Sequence, residues 1–159
     1  LTQGAIWEAY PPAMFGGIVL MLYPVIYAEI NREHRRVLAL SGIIIALGAL
    51  FMGIFAGHFW AVGSAAIIFF AGYNIASAIL PSMMSRSTTL EQRGAASGVY
   101  SLMQFLGIFT GGVVGGWGLG WIGVQGVFYI LTAVGLALAL QSAFAGGAMN
   151  KLLAAEERS

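Results

Sequence analysis

"GIFTGGVVGGWG", residues 107–118, is apolar, yet half of its positions are glycine. Glycine disfavours helix and buries no side chain, so in the core of a water-soluble domain the stretch would work against itself. In a bilayer it has a use. Lipid tails are as apolar as leucine, so burying leucines does not drive two helices together. Small residues do, because they let backbones approach and gain dispersion contacts. The solvent around this stretch therefore decides the fold.

The rest of the chain answers the question. Hydrophobic residues make up 59% of the sequence and charged residues 8%, against about 25% charged in a typical soluble domain. A chain with so little charge cannot cover a water-facing surface. Five segments, about 11–29, 38–56, 59–84, 95–117 and 122–146, are long enough for a hydrocarbon core that takes ~20 apolar residues to cross. The links at 57–58 and 118–123 are short and imply antiparallel neighbours. The expected fold is all-α, a polytopic membrane helical bundle with five transmembrane helices. The absence of cysteine excludes disulfides and thiolate metal sites.

The cations set an expected orientation. All seven fall in three places: Arg32, Arg35 and Arg36; Arg86 and Arg93; Lys151 and Arg158. Five antiparallel spans put those places on one side, and Lys/Arg excess marks the cytoplasm. Residues 150–159 then form a cytoplasmic tail and residues 1–10, with Glu8, an extracytoplasmic link. Trp7, Trp60, Trp117 and Trp121 fall at the outer interface, where amphipathic rings settle. A chain that starts outside on Leu1, without an n-region or h-region, is expected to follow at least one further span.

On a helical wheel at about 100° per residue, Tyr100, Gln104, Gly107, Gly111 and Gly115 share one sector. Gly94, Gly98, Gly112 and Gly116 share a second with Phe105, while Val99, Leu102, Leu106, Val113 and Trp117 suit lipid. Two small faces predict two close neighbours, with Gly98, Gly107, Gly111, Gly112, Gly115 and Gly116 as packing positions. A weaker stripe of Gly42, Ala46, Ala49 and Gly53 runs along the second span.

Polar groups inside a span require partners. Tyr100 and Gln104 sit one turn apart. Asn74 and Ser77 sit three apart beside Tyr73, and Pro81 frees the Ser77 carbonyl. Two readings stand: these five residues line a substrate pathway, or they join helices by hydrogen bonds. Tyr23 and Tyr27 line the same pathway or anchor the inner interface. His34 and His58 read as solvated link residues, and Gln125 and Gln141 as interfacial. No ionisable residue marks a span centre, where proton couplers usually have one. No nucleophile elbow, phosphate loop, metal set or nucleic-acid platform is present, so no enzyme, cofactor or nucleic-acid partner is expected.

"YNIASAILPSMMSRSTTLEQRGAASGVYSLMQFLGIFTGGVVGGW", residues 73–117, resembles the tenth and eleventh helices of the major facilitator superfamily (MFS). A Pro-terminated helix and a short basic link precede Arg93-Gly94, Gly98, Tyr100, Gln104, Gly107 and the glycine pairs at 111–112 and 115–116. "YAEINREHRRVL", residues 27–38, is similar to the link between helices eight and nine in the YajR-like branch of bacterial drug/proton antiporters. The resemblance implies the C-terminal six-helix half of such a transporter, here helices eight to twelve, in a bacterial cytoplasmic membrane. It implies proton-coupled efflux of small organic molecules by alternating access, with the N-terminal half of the same protein, a small-molecule substrate, protons and lipid as partners. Glu29, Arg35, Arg36 and Arg93 resemble the charge cluster of a cytoplasmic gate; plain positive-inside topology accounts for the same charges. The rival is a non-transporting helical module that packs with partner membrane proteins.

Overall fold

The computed structural model describes the backbone of residues 3–156 and the side chains of Pro11 and residues 15–144. The expectations for Trp7, Glu8, Lys151 and Arg158 lie outside the described side chains. Helix α1 spans Gln3–Asn31, α2 His34–Ile54, α3 Phe59–Arg86 and α4 Arg93–Glu156. The backbone is already helical at residues expected to form the outer link, so α1 starts earlier than 11.

Helix α4 contains a break. Within it, residues 93–144 form a 52-residue apolar stretch. At about 1.5 Å per residue that is roughly 78 Å, more than twice a ~30 Å hydrocarbon core. At Gly123 the backbone leaves the helical region (φ 69°, ψ −179°), a conformation essentially reserved for glycine. The chain folds back there: a β-carbon added at Gly118 would meet the Val127 side chain at 3.3 Å. Residues nine apart on a straight helix lie ~13 Å apart along the axis, so α4 comprises two limbs, 93–122 and 124–156.

Contact pairs give the directions. Gly42 meets Gly135 and Ala139, and Gly53 meets Phe128 and Tyr129, so α2 and the second limb run antiparallel. Gly48 meets Phe69 and Gly72 meets Ser41 and Ile45, so α2 and α3 are antiparallel too. Helix α1 lies alongside α3 in the same direction, with Gly16 on Ile67 at one end and Glu29 on Arg86 at the other. Every arginine-bearing link therefore sits at one end of the bundle. Trp60, Trp117 and Trp121, all strongly exposed, sit at the opposite end.

The core forms where α1, α2 and α3 meet: Ala28, Val37, Leu38, Ile75, Ala76 and Ile79 are buried, with Met21, Ile44, Ile45, Met83 and Leu138 packed against them. Helix α2 is the central element, and its small residues face two neighbours. Ala46, Ala49 and Ser41 are buried. A β-carbon at Gly42 would lie 2.7 Å from the Ala139 nitrogen, and one at Gly135 would lie 2.8 Å from the Ala46 nitrogen. The predicted stripe of Gly42, Ala46, Ala49 and Gly53 is the surface on which the second limb packs. Gly48 serves the other side, where a β-carbon would come within 2.6 Å of the Phe69 nitrogen.

The first limb departs from expectation. Gly94, Gly98, Gly107, Gly111, Gly112, Gly115 and Gly116 have nothing within 4 Å of an added β-carbon. Phe105, Ile108, Phe109 and Trp117 are exposed. Among the described residues, this limb is thus not wedged between companions. A helical wheel identifies faces that suit close neighbours; it does not say which segment supplies them.

Candidate functional site

A cavity of about 680 Å³ opens between α3, the two limbs of α4 and Ile45 of α2. Tyr73 and Ser77 of α3 line it, as do Tyr100, Gln104, Gly107, Thr110, Gly111 and Gly115 of the first limb. Helical periodicity explains the set. Residues 73 and 77 are one turn apart with Phe69, Ala76 and Leu80 near the same face, and 100, 104, 107, 111 and 115 repeat at three or four. The other walls are apolar, from Val127, Ile130, Leu131, Val134 and Leu138 of the second limb.

Four of the five residues expected in a pathway therefore meet around one space. Asn74 does not line it. It is half-buried and lies about 100° around α3 from Tyr73, so the polar pair on this face is Tyr73 with Ser77. One glycine sector of the first limb forms a cavity wall, and the absence of side chains at 107, 111 and 115 leaves that wall recessed. Thr110 also lines the cavity, but its hydroxyl donates to the Leu106 carbonyl of its own helix, 2.7 Å away. Tyr23 and Tyr27 lie elsewhere, exposed on α1 with ring centroids 6.3 Å apart.

The charged end carries a second arrangement. Glu29, in the last turn of α1, holds two partners: His34 Nε2 at 2.7 Å and Arg86 at 2.8 Å. One carboxylate thereby links the end of α1, the start of α2 and the end of α3. His34 is buried, which corrects its reading as a solvated link residue. Arg36 pairs with Glu33. Of the residues expected in a gate, Glu29, Arg35 and Arg36 gather here; Arg93, exposed at the start of α4, does not join this cluster. Sequence reasoning missed His34 and Arg86 as partners of Glu29. The available signal was positional, since antiparallel spans bring residues 29, 34 and 86 to one end.

Among the described residues, no group of three or more His, Cys, Asp or Glu lies close enough to hold a metal ion. What the 680 Å³ cavity offers is a large apolar surface with two phenol hydroxyls, a serine hydroxyl and a carboxamide, which suits reversible binding of an amphiphilic organic molecule.

Comparison with known proteins bears on this geometry. The family model described as Major Facilitator Superfamily matches residues 12–150. The "Inner membrane transport protein YajR" of Escherichia coli (strain K12) is 34% identical over 139 residues, covering 84% of this chain and 30% of that protein. The chain thus spans about 30% of the length of the curated relative it matches. No solved structure matches it.

Proposed function

The chain belongs to the Major Facilitator Superfamily, and from that membership we propose that it forms part of a secondary active transporter for small organic molecules. It belongs among membrane transport proteins, not enzymes. In the proposed reading the protein is a proton-coupled efflux antiporter of a bacterial inner membrane, with the arginine-bearing end and the C-terminus in the cytoplasm. The observation that carries this reading is the convergence of Tyr73, Ser77, Tyr100 and Gln104, from two separate helical segments, on one cavity. Alternating access then moves the cavity between the two sides as one half of the carrier rocks against the other. The second glycine face of the first limb, Gly98, Gly112 and Gly116, seats helices from the rest of the carrier. The proton-coupling carboxylate is assigned to that remainder, because the described spans carry no Asp, Glu, His, Lys or Arg at their centres. Glu29 with His34 and Arg86, and Arg35 and Arg36 beside them, form the closing contacts of the cytoplasmic gate, with Arg93 at the same end of the bundle but outside this cluster.

Gln104→Leu in the full chain tests the reading. It keeps side-chain volume and removes the carboxamide. Losing a hydrogen bond in a partly desolvated site costs ~1–3 kcal/mol, so export of a Gln104-dependent substrate is expected to fall about tenfold, with protein abundance unchanged. Undiminished export across a panel of organic cations and dyes would remove Gln104 from the pathway.

A second reading has its own supporting observation: the cavity walls are mostly apolar and one is lined by glycine. A groove of that kind also fits a further helix, with Tyr100 and Gln104 bonding to it. Aqueous accessibility of position 104 separates the two readings.

A further inference from the structure

A second cavity, about 570 Å³, lies at the charged end of the bundle, among the residues assigned above to the cytoplasmic gate. We propose that it is a phosphate-binding site whose occupant is the headgroup of an anionic phospholipid. Arg32, Arg35 and Arg36 enter it from the α1–α2 link and the first turn of α2, and Arg86 enters from the end of α3. Positive-inside topology asks only that arginines lie on one side of the membrane; it does not ask that four from two separate links face one concavity. The nearby carboxylates, Glu33 and Glu29, are each ion-paired within the same cluster, to Arg36 and to Arg86 with His34. Among the described residues, four guanidinium groups against two carboxylates leave a net positive space. Guanidinium groups match phosphate oxygens in bidentate geometry.

Arg32 supplies a second, independent observation. Its φ is 56°, in the left-handed region, and it is the non-glycine residue of the described backbone with positive φ. It directly follows α1, where a left-handed residue ends a helix and glycine is usual. Among the described residues it has no ion-pair partner. The fold thus holds an arginine in a conformation that glycine adopts freely, and points it at the cavity.

Ser87 and Ser142 add hydroxyls to the lining, and it is the apolar residues that favour a lipid over a dissolved anion. Met83 and Ala143 add apolar surface beside the guanidinium groups, and Phe144, next in the chain, is exposed. A basic pocket between helix ends at the membrane surface, flanked by apolar side chains, fits a phosphate with its acyl chains alongside.

The test is lipid retention on the full chain in detergent, read by native mass spectrometry, with phosphatidylglycerol and phosphatidylcholine of identical acyl chains. Phosphatidylglycerol is expected to be retained preferentially. Arg32→Gly relaxes the backbone while deleting the cation, so the fold is kept, and phosphatidylglycerol retention is expected to fall about tenfold through loss of a charge-assisted contact. Arg35→Gln, which leaves the turn intact, is expected to lower it similarly. Displacement of the lipid by millimolar inorganic phosphate would reassign the site to a soluble phosphate and overturn the lipid assignment. Equal retention of the two lipids, or retention unchanged in both variants, would overturn the site itself.

Discussion

Gly42→Leu is expected to eliminate most folded protein from the membrane. Position 42 faces the backbone of the second limb: an added β-carbon would come within 2.7 Å of the Ala139 nitrogen and 2.8 Å of the Gly135 carbonyl oxygen. Neither group can rotate away as a flexible side chain would, so α2 and the second limb must separate. Overpacking a filled core costs ~1–3 kcal/mol per site, and separating two backbones forfeits the dispersion contacts along the whole stripe, since apolar burial adds little between helices in lipid. Ala46, Ala49 and Gly53 lie on the same stripe and would lose their partners together. The control is Gly63→Leu, where nothing lies within 4 Å of the added carbon. Folded yield by fluorescence-detected size exclusion should collapse for the first variant and hold for the second. Equal yields would show that the small-residue stripe is not what holds these helices together.

Gly111→Trp is expected to do the opposite, keeping the fold and abolishing export. Gly111 lines the 680 Å³ cavity and has nothing within 4 Å of an added β-carbon. The indole therefore enters space and meets no backbone. It fills the volume between Tyr100, Gln104 and the α3 pair, so substrate is excluded while abundance stays near wild type. The contrast between two glycine substitutions on adjacent elements is the informative quantity. Loss of folded yield with Gly111→Trp would favour the reading in which a further helix of the carrier occupies the groove.

Much of the fold was legible because hydropathy and helical periodicity carry it. The apolar lengths, the short links and the α2 stripe depend on local sequence, and the break at Gly123 falls within the expected link at 118–123. The cavity lining was legible for the same reason: Tyr100, Gln104 and three glycines share one sector of the wheel. Two kinds of information were not local. Which helix a small face meets depends on segments far along the chain, so the close approaches appear at Gly42, Gly48, Gly72 and Gly135, and the seven glycines between 94 and 116 remain uncovered. The polar register of α3 also needed the neighbouring helices. Asn74 and Ser77 are spaced plausibly for one face, but the first limb lies on the side of Tyr73 and Ser77. His34 illustrates the same limit. Its sequence neighbours are charged and suggest solvent, yet it is buried and paired with Glu29 at the end of α1, which in turn holds Arg86 at the end of α3.

The transport reading stands on water reaching the face of the first limb that carries Gln104. This segment contains no cysteine, so Gln104→Cys in the full chain, cleared of any cysteines elsewhere, gives a clean measurement with a membrane-impermeant thiol reagent; Phe109→Cys, which lies off the cavity lining, is the reference position. Reaction at 104, slowed by a transported substrate, with silence at 109, is the predicted result. Silence at both positions, with the protein folded and exporting, would contradict it.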